Sequence, residues 1–456
     1  MRKIHKKNNR RRFLRNTFLS AATAIASPQL VAGAVLGMDG TLPPSDRITI
    51  GIFGVGNRGS DSIRAMRPLP DHQIVAIADC RRERAERARD VVNAMYAERT
   101  GFENYQGCNI TWDFEEVIDR SDIDVLWGTV PDHWHGPIYS RMIRSGKDIY
   151  GEKPLTRYVR QGTKIVQMAR QYGTIFQVGT QQRSSSHFRH ACELARNGYL
   201  GRVHTIEVAA PRGEAYPVAP PSEAPDGFHY DRWSGPAPLF PFDERRCEWL
   251  AMYMISHYCT GFITNWGVHH LDIAGWGIPE VFEKPFTLEG TGEMPSFGMT
   301  DTWVKWRVKM VWESGLVLDY CSTGDPHPQG CRFIGDEGWV HVNRAKIEAE
   351  PTSLLDVQMK DTDTHLHISP GSDLETLNPG YAYTPHTADF FRSVRTRQDP
   401  VSPIEQGHAA STLGNLSDIA LRLRRKLCWD WEKSDFLNDP DASGMLSRAE
   451  RGEWTV

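Results

Sequence analysis

The stretch RITIGIFGVGNRGSDSIRAM, residues 47–66, constrains the fold of this 456-residue chain more than any other feature. The apolar run from Ile48 to Phe53 indicates a buried strand. A G-x-G-x-x-G turn follows, with glycines at Gly54, Gly56 and Gly59 and with Asn57 and Arg58 between the last two. Such glycines permit a tight turn, close approach of the backbone to a pyrophosphate, and close packing of helix on strand. The N–H groups of the next helix favour an anion. The stretch therefore predicts a dinucleotide-binding turn.

A second apolar stretch, HQIVAIADC, strengthens this prediction because it ends near Asp79, about twenty residues after Gly59. A carboxylate at this place binds the adenosine ribose hydroxyls and repels a 2′-phosphate, so NAD is favoured. Arg81 and Arg82 follow at once and could accommodate that phosphate, which leaves NADP open. The competing interpretation is that Asp79 only caps the helix that begins near Arg81.

Strands and helices continue to alternate up to residue 155. We expect a helix over residues 114–120, a strand over 122–130, a helix over 132–146 and a strand over 147–155. This spacing predicts a doubly wound parallel sheet that binds its ligand beyond the carboxyl ends of the strands. The PDHWH loop and the GEKP turn follow two such ends, so we expect the cofactor near Pro131, Asp132, His133, His135, Glu152 and Lys153.

The pattern changes after residue 155, where we predict an α+β domain with a large, mostly antiparallel sheet. Alternating runs at 201–210, 302–312, 315–322 and 331–343 indicate its strands. Prolines crowd a loop excursion over residues 211–247, typical of loops above an active site. The predicted organisation is a Rossmann domain over 47–155 and a substrate-binding domain over 156–456, whose tail, 400–456, returns along the protein.

The stretch TNWGVHHLDIAGWG places two histidines side by side. If residues 265–276 form a helix, at about 100° per residue, one face carries Asn265, His269, Asp272 and Trp276. His270 then points about 100° away from His269. Adjacent helical residues do not face one ligand and no third ligand is evident, so we expect no metal site. A histidine packed in the core is the alternative interpretation.

These motifs, taken in order, resemble the Gfo/Idh/MocA family of oxidoreductases over residues 46–456: G-x-G-x-x-G, PDHWH, EKPL, and a helix similar to D-x-x-x-H. The ending from Arg424 to Trp454 resembles that of a bacterial subgroup, many of whose members are exported. The resemblance implies transfer of a hydride between a nicotinamide cofactor and a secondary hydroxyl or carbonyl of a sugar, sugar derivative or polyol.

The resemblance also implies roles for three residues. Lys153 matches the lysine of the family's E-K-P turn, which binds the substrate oxygen. His269 matches the motif histidine, a general acid/base. Asn265 stands where the family has aspartate, and it cannot carry charge. We expect Asn265 to hydrogen-bond the substrate while Asp272 or a water supports His269; the alternative is altered chemistry or lost activity.

Aromatic and cationic residues in the loop excursion suit a carbohydrate, because Trp and Tyr stack on sugar rings and Arg binds hydroxyls or a carboxylate. They are Tyr230, Arg232, Trp233, Arg245, Arg246 and Trp249. Gln181, Gln182 and Arg183 follow a predicted strand end. The predicted substrate contacts are therefore Gln181, Arg183, Trp233, His269 and Asp272, each of which could instead be structural.

The N-terminal segment resembles a twin-arginine export signal, R-R-x-F-L-K, through Arg10, Arg11, Phe13, Leu14 and Arg15. Residues 1–34 form the predicted signal, with small residues at 32–34 for cleavage, and 35–46 a linker. A basic tail is the alternative; a membrane anchor would need about 20 apolar residues. We expect a periplasmic protein without a membrane span. The net charge of -4 disfavours binding to nucleic acid or anionic membranes.

Export has a consequence for the cofactor, since no pool of free NAD(P) is expected outside the cytoplasm. We therefore expect a tightly bound cofactor that is recycled within one site. Redox-neutral cleavage of a glycoside through a keto-sugar is the first alternative, and a non-catalytic sugar-binding protein is the second. Open sheets of this kind often pair across their outer faces, so we also expect a homo-oligomer, a dimer or a tetramer.

Overall fold

The computed structural model describes residues 46–324, 326–372 and 383–456. The predicted export signal and nearly all of the predicted linker lie outside these residues. In the described chain, no helix is long and apolar enough to cross a membrane.

The first half is a parallel sheet with helices between its strands. Its strands are β1 (Ile48–Phe53), β2 (His72–Ala78), β3 (Asn109–Thr111), β4 (Val125–Gly128), β5 (Asp148–Gly151) and β6 (Phe176–Val178). Its helices are α1 (Asn57–Met66), α2 (Arg82–Thr100), α3 (Phe114–Ile118), α4 (Asp132–Arg144) and α5 (Val159–Tyr172).

The six strands lie in the order β3-β2-β1-β4-β5-β6, and every pair is parallel. The order reverses between β1 and β4, which is where a doubly wound sheet binds its ligand. The strands are largely buried because helices cover both faces, which explains their nearly continuous apolar runs. The sheet also takes in β6, beyond residue 155, because Phe176 pairs with Ile149 of β5.

The second half contains a nine-stranded sheet. Its strands are β7 (Val203–Ala210), β8 (Phe286–Glu293), β9 (Lys305–Trp312), β10 (Val317–Ser322), β11 (Gly330–Gly335), β12 (Gly338–Val342), β13 (Ile347–Glu350), β14 (Leu427–Asp430) and β15 (Asp435–Phe436). Its helices are α6 (Ser186–Arg196), α7 (Tyr230–Ser234), α8 (Trp249–Tyr253), α9 (Phe262–Asn265), α10 (Val268–Gly277), α11 (Glu280–Glu283), α12 (Tyr383–Thr396), α13 (Ile404–Leu423) and α14 (Pro440–Gly444).

This sheet has the order β13-β12-β11-β7-β10-β9-β8-β14-β15 and is antiparallel except between β7 and β10. Alternation along β9 explains its two faces: Trp306, Val308 and Met310 are buried, whereas Arg307 and Lys309 are exposed. The inner face packs on α10 and α13 in one large core. The predicted fold class, a Rossmann sheet followed by an α+β domain with a mostly antiparallel sheet, is confirmed.

The C-terminal segments also complete the first half of the molecule. Phe390 and Phe391 of α12 pack with Trp127 and Tyr150 of the parallel sheet. Near the chain end, the Trp454 ring lies 4.9 Å from the ring of Trp134, between centroids. The two halves therefore share packed surfaces, and these surfaces hold the carboxyl ends of the strands against the second half.

Candidate active site

The G-x-G-x-x-G turn has the shape that a dinucleotide phosphate requires. Gly54 has a φ of +78°, and a Cβ there would lie 2.7 Å from the Thr129 carbonyl oxygen. A Cβ on Gly59 would lie 2.2 Å from the Gly54 carbonyl oxygen. Helix α1 begins at Asn57, and no side chain caps it. Its first N–H groups therefore remain available for a pyrophosphate. The glycine turn and the start of α1 thus fit the predicted nicotinamide dinucleotide.

Asp79 lies just beyond β2 and lines the same cleft. Its carboxylate accepts hydrogen bonds from the backbone N–H groups of Val55 and Arg81, each at 2.7 Å. Burial raises the pKa of Asp79, and these two hydrogen bonds act in the opposite direction. The carboxylate thus joins the glycine turn to the entry of α2, and it lies where the adenosine ribose would bind.

The two arginines that could receive a 2′-phosphate are engaged elsewhere. The Arg81 guanidinium bonds Glu244 at 2.8 Å and lies 3.8 Å from the centre of the Phe228 ring. Arg82 bonds Glu86 at 2.9 Å. The geometry therefore favours NAD.

The cleft contains about 1180 Å³ of space, part of it open to solvent. One wall comes from the Rossmann turns. The other comes from residues 226–253, here called the cover segment, through Arg232, Trp233, Cys247, Trp249, Met252 and Tyr253. Backbone hydrogen bonds of 2.9 Å tie this segment to the first half, from Arg82 to Gly227 and from His229 to Cys80. The cover segment therefore lies over the adenosine end of the cleft.

The PDHWH loop contributes both cleft residues and structural residues. Pro131 and Asp132 line the cleft. The His133 ring contacts the carbonyl oxygen of Trp233 at 2.9 Å, which fixes the cover segment. The His135 ring nitrogens contact the carbonyl oxygens of Pro154 and Val130, at 2.6 and 3.0 Å. His135, predicted to bind cofactor, instead joins its own loop to the EKP turn.

Lys153 lies at the inner end of the cleft, buried beside a polar network. Its Nζ donates to the carbonyl oxygen of Asn265 at 3.0 Å and to the Asn265 Oδ1 at 3.3 Å. The Asn265 Nδ2 donates to both carboxylate oxygens of Asp132, at 2.9 and 3.1 Å. The Cys259 Sγ lies 3.0 Å from Asp132 Oδ2. Burial lowers the pKa of Lys153, while Glu152 and Asp132 act to raise it.

His269 is buried, and its Nδ1 has no hydrogen-bond partner among the described residues. Burial lowers its pKa well below the usual value, and the positive charges of Arg344 and Lys153 lower it further. The Arg344 guanidinium lies 4.9 Å from the centre of the Trp266 ring, and the His269 ring is edge-on to the same ring at 5.6 Å. His269 is thus a buried imidazole, close to positive charge, whose neutral form is favoured.

Arg344 was not predicted as a site residue, because it lies in the turn between β12 and β13 and no motif surrounds it. Its neighbours complete a polar wall. The Gln181 side chain contacts the Tyr383 hydroxyl at 2.7 Å. In the amide orientation that satisfies the hydrogen bonds at both ends, its oxygen also accepts from the Arg344 guanidinium at 3.2 Å. Arg58 pairs with Glu152 at 3.6 Å and lies 4.7 Å from the centre of the Tyr383 ring. Gln181, Arg58 and Glu152 thus lie in one polar cluster, joined through Tyr383 and Arg344.

Two predictions for the TNWGVHHLD stretch need correction. The side-chain amide of Asn265, predicted to hydrogen-bond the substrate, is instead bound to Lys153 and Asp132. Asn265 ends α9 and His269 lies in α10, so the two do not share one continuous helix. The break occurs at Trp266 and Gly267, where a Cβ on Gly267 would lie 1.8 Å from the Tyr320 hydroxyl. His270 is buried, with its Nδ1 3.5 Å from Gln182 Nε2.

Asp272 and Arg183 bind each other rather than an open site. Arg183 donates to the two carboxylate oxygens of Asp272, at 2.7 and 2.8 Å. The exposed fractions of the two side chains are 0% for Asp272 and 3% for Arg183. The prediction that Asp272 supports His269 is therefore wrong. Its ion pair with Arg183 instead joins α10 to the turn after β6. Among the described residues, no three His, Cys, Asp or Glu side chains gather into a metal-binding group.

Comparisons with known proteins agree with this architecture. The model of the oxidoreductase family with an NAD-binding Rossmann fold, GFO_IDH_MocA, matches residues 48–180. The model of the C-terminal alpha/beta domain of the same family matches residues 372–456. The uncharacterised oxidoreductase YrbE of Bacillus subtilis is 22% identical, over 69% of this chain and 79% of that protein. A glycosyl hydrolase family 109 protein of Shewanella pealeana is 29% identical, over 36% of this chain and 37% of that protein.

Solved structures show the same fold at low sequence identity. A levoglucosan dehydrogenase in complex with NADH and levoglucosan has a TM-score of 0.59 and 16% identity, covering 83% of this chain and 98% of that one. The predictions of an enzyme and of an NAD cofactor are confirmed. The two model matches, over residues 48–180 and 372–456, support the assignment of the chain to the Gfo/Idh/MocA family of NAD-binding oxidoreductases.

Proposed function

We propose that the protein moves a hydride between NAD and a secondary hydroxyl or carbonyl of a sugar, sugar derivative or polyol. The observation that carries the proposal is the position of Lys153, a buried amine at the inner end of the dinucleotide cleft. NAD, when bound, supplies the hydride acceptor or donor. The glycine turn, α1 and Asp79 would hold it.

The chain's own residues account for the proton and the charge. The Lys153 ammonium donates a hydrogen bond to the reacting oxygen and stabilises negative charge that develops there. His269 accepts the hydroxyl proton during oxidation and returns it during reduction. Its lowered pKa keeps the ring neutral, and therefore able to act as a base, down to acidic pH.

The substrate class is supported by relatives. An inositol 2-dehydrogenase of Saccharopolyspora erythraea is 29% identical over 37% of this chain, and the levoglucosan dehydrogenase has the same fold. Both names refer to polyhydroxylated ring compounds. The wall of Gln181, Tyr383 and Arg344 offers hydrogen-bonding groups of the kind that hydroxyls require. Trp233 lies in the cover segment beside the cofactor cleft, where it would contact cofactor before substrate.

Redox-neutral cleavage of a glycoside is the second candidate, and the similarity to the glycosyl hydrolase family 109 protein favours it. A sugar ketone acidifies its neighbouring C–H bond, which permits elimination of the glycosidic oxygen. Lys153 and His269 would serve this reaction without change of role.

A panel of free sugars, polyols and aryl glycosides, incubated with purified protein, distinguishes the two candidates. Net oxidoreduction predicts a change in absorbance at 340 nm and a product two mass units from its substrate. Glycoside cleavage predicts release of the phenol without a net change at 340 nm. Protein that binds no NAD in calorimetry and releases none when denatured would contradict both.

We also propose twin-arginine export and tight retention of NAD, with a periplasmic location. Support comes from the arginine motif at Arg10 and Arg11 and from the cover segment that closes over the adenosine end of the cleft. Export of a loaded enzyme predicts that Arg10→Lys with Arg11→Lys retains the protein in the cytoplasm, as seen in cell fractions. A double variant found in the periplasm would contradict the twin-arginine route.

The predicted homo-oligomer, a dimer or a tetramer, is tested by light scattering, which gives the mass of the protein in solution.

A further inference from the structure

Asn265 stands where the family motif has an aspartate, yet a carboxylate lies beside it. Asp132, from the PDHWH loop, accepts two hydrogen bonds from the Asn265 Nδ2, at 2.9 and 3.1 Å. On its other side, the Asn265 Oδ1 accepts from Lys153 Nζ at 3.3 Å. All three side chains are buried, and the exposed fractions are 4% for Asp132, 3% for Asn265 and 8% for Lys153. A buried chain of carboxylate, amide and ammonium therefore crosses the interface of the two halves.

We propose that Asp132 is a positioning residue that, through the amide of Asn265, holds Lys153 in place and adds its negative charge to that of Glu152. The inference rests on the proposed function, in which Lys153 binds the reacting oxygen. Asp132 touches the cofactor cleft but acts on the lysine through Asn265. The negative charge that the family motif has at the position of Asn265 is thus supplied in this chain by Asp132, the hydrogen-bond partner of Asn265.

The chemistry of the three groups fixes the direction of the amide. An ammonium has only donors and a carboxylate has only acceptors, so the amide must turn its oxygen to Lys153 and its nitrogen to Asp132. In this orientation the amide dipole adds to the attraction between the two charges. Any other orientation would leave a buried donor facing a donor, which costs the hydrogen bonds on both sides.

The same geometry explains why asparagine, rather than aspartate, occupies position 265. A carboxylate there would place its oxygens about 3 Å from those of Asp132, and two carboxylates at that separation cannot both ionise readily. The Cys259 thiol, 3.0 Å from Asp132 Oδ2, adds one further donor on the Asp132 side. One carboxylate and one amide are therefore complementary, whereas two carboxylates repel each other and two amides would hydrogen-bond without supplying a negative charge.

A charge swap tests the inference. The variants are Asp132→Asn, Asn265→Asp and the double variant D132N/N265D, with Asp361→Asn, an exposed aspartate, as the matched control. Thermal unfolding and the pH dependence of hydride transfer are measured for each. The charged or titratable groups that act on Lys153 are Glu152, Asp132, Arg58 and Cys259, and only Asp132 changes among them.

We expect Asp132→Asn to slow hydride transfer on the order of tenfold and to move the pH limit set by Lys153 down by about one unit. Both single variants should unfold at lower temperature than wild type. The double variant should recover most of the rate, the pH limit and the thermal stability, because it restores one carboxylate and one amide. Additive losses in the double variant would overturn the inference, and so would an Asp132→Asn enzyme with the wild-type pH profile.

The outcomes separate this inference from the proposed function. A wild-type protein that transfers no hydride to or from any sugar contradicts the proposed function. The unfolding cycle then still decides whether Asp132 and Asn265 are coupled. An active wild type whose single variants lose rate and stability independently contradicts the Asp132 assignment alone.

Discussion

Arg183 and Asp272 form a buried ion pair with two hydrogen bonds, of 2.7 and 2.8 Å, between the turn after β6 and helix α10. The pair belongs to the framework of the active site, because α10 also carries His269.

Removing one partner of this pair should destabilise the whole protein. Asp272→Ala leaves a guanidinium buried without its carboxylate, and we expect a loss of about 3–5 kcal/mol in the free energy of unfolding. Urea unfolding measures the loss. Glu86→Ala, which breaks the exposed pair with Arg82, is the control and should cost less than about 1 kcal/mol. A stable Asp272→Ala protein with only a raised KM for sugar would show that Asp272 contacts substrate instead.

Stability should fall as the solution is acidified below neutral pH. Burial lowers the pKa of His133 and of His386 from 6.5 to about 4. Between these values the unfolded chain binds protons that the folded protein does not, so stability is present above pH 6.5 and is lost toward pH 4. The expected loss at pH 5 is about 2 kcal/mol per histidine.

Thermal unfolding between pH 8 and pH 5 measures this dependence. His133→Gln should reduce the slope of melting temperature against pH, whereas His365→Gln, at an exposed histidine, should leave it unchanged. A melting temperature that is level or rises toward pH 5 would show that the buried histidines are protonated in the folded state.

Asp79 should decide the choice between the two nicotinamide dinucleotides. Asp79→Ser removes the carboxylate that binds ribose hydroxyls and repels a 2′-phosphate, so NAD should bind at least about tenfold more weakly relative to NADP. Calorimetric titration with each dinucleotide gives the ratio of the two Kd values. Because Asp79 also accepts from Val55 and Arg81, the fold of the variant is compared by circular dichroism. An unchanged ratio would assign Asp79 to the framework.

Gly59 should tolerate no side chain. A Cβ there would lie 2.2 Å from the Gly54 carbonyl oxygen, so Gly59→Ala must displace the turn that receives the pyrophosphate. We expect protein purified with this substitution to hold less NAD, measured by absorbance after denaturation. Gly444→Ala is the matched control, because no atom lies within 4 Å of the added Cβ. Equal NAD content in the two variants would mean that the turn does not bind the dinucleotide.

The local parts of the site were predictable from the sequence. The glycine turn, Asp79, the PDHWH loop and Lys153 each follow a strand, and parallel strands bring their carboxyl ends together at one edge. Lys153, which follows β5, therefore lines the cleft, as its place after a strand predicts.

The long-range parts were not predictable, because they depend on which side chain meets which across the two halves. Asp132 and Asn265 are 133 residues apart, and no pattern in either segment announces their hydrogen bonds. Helical periodicity placed Asn265 and His269 on one helix, but the structure interrupts that helix at Trp266 and Gly267. Arg183 and Asp272 were polar residues near a site, and only packing shows that they neutralise each other.

In the proposed reaction, Lys153 and His269 act directly on the sugar that exchanges a hydride with bound NAD. Lys153→Ala and His269→Ala are compared with Lys426→Ala and His365→Ala, two exposed controls, by the rate of a single hydride transfer at 340 nm with a reacting sugar. NAD content is measured in every sample. We expect wild-type NAD content in all four variants and a fall in rate of about 100-fold or more in Lys153→Ala and His269→Ala alone. A wild-type rate in Lys153→Ala or His269→Ala, with NAD bound, would contradict the proposed role of that residue.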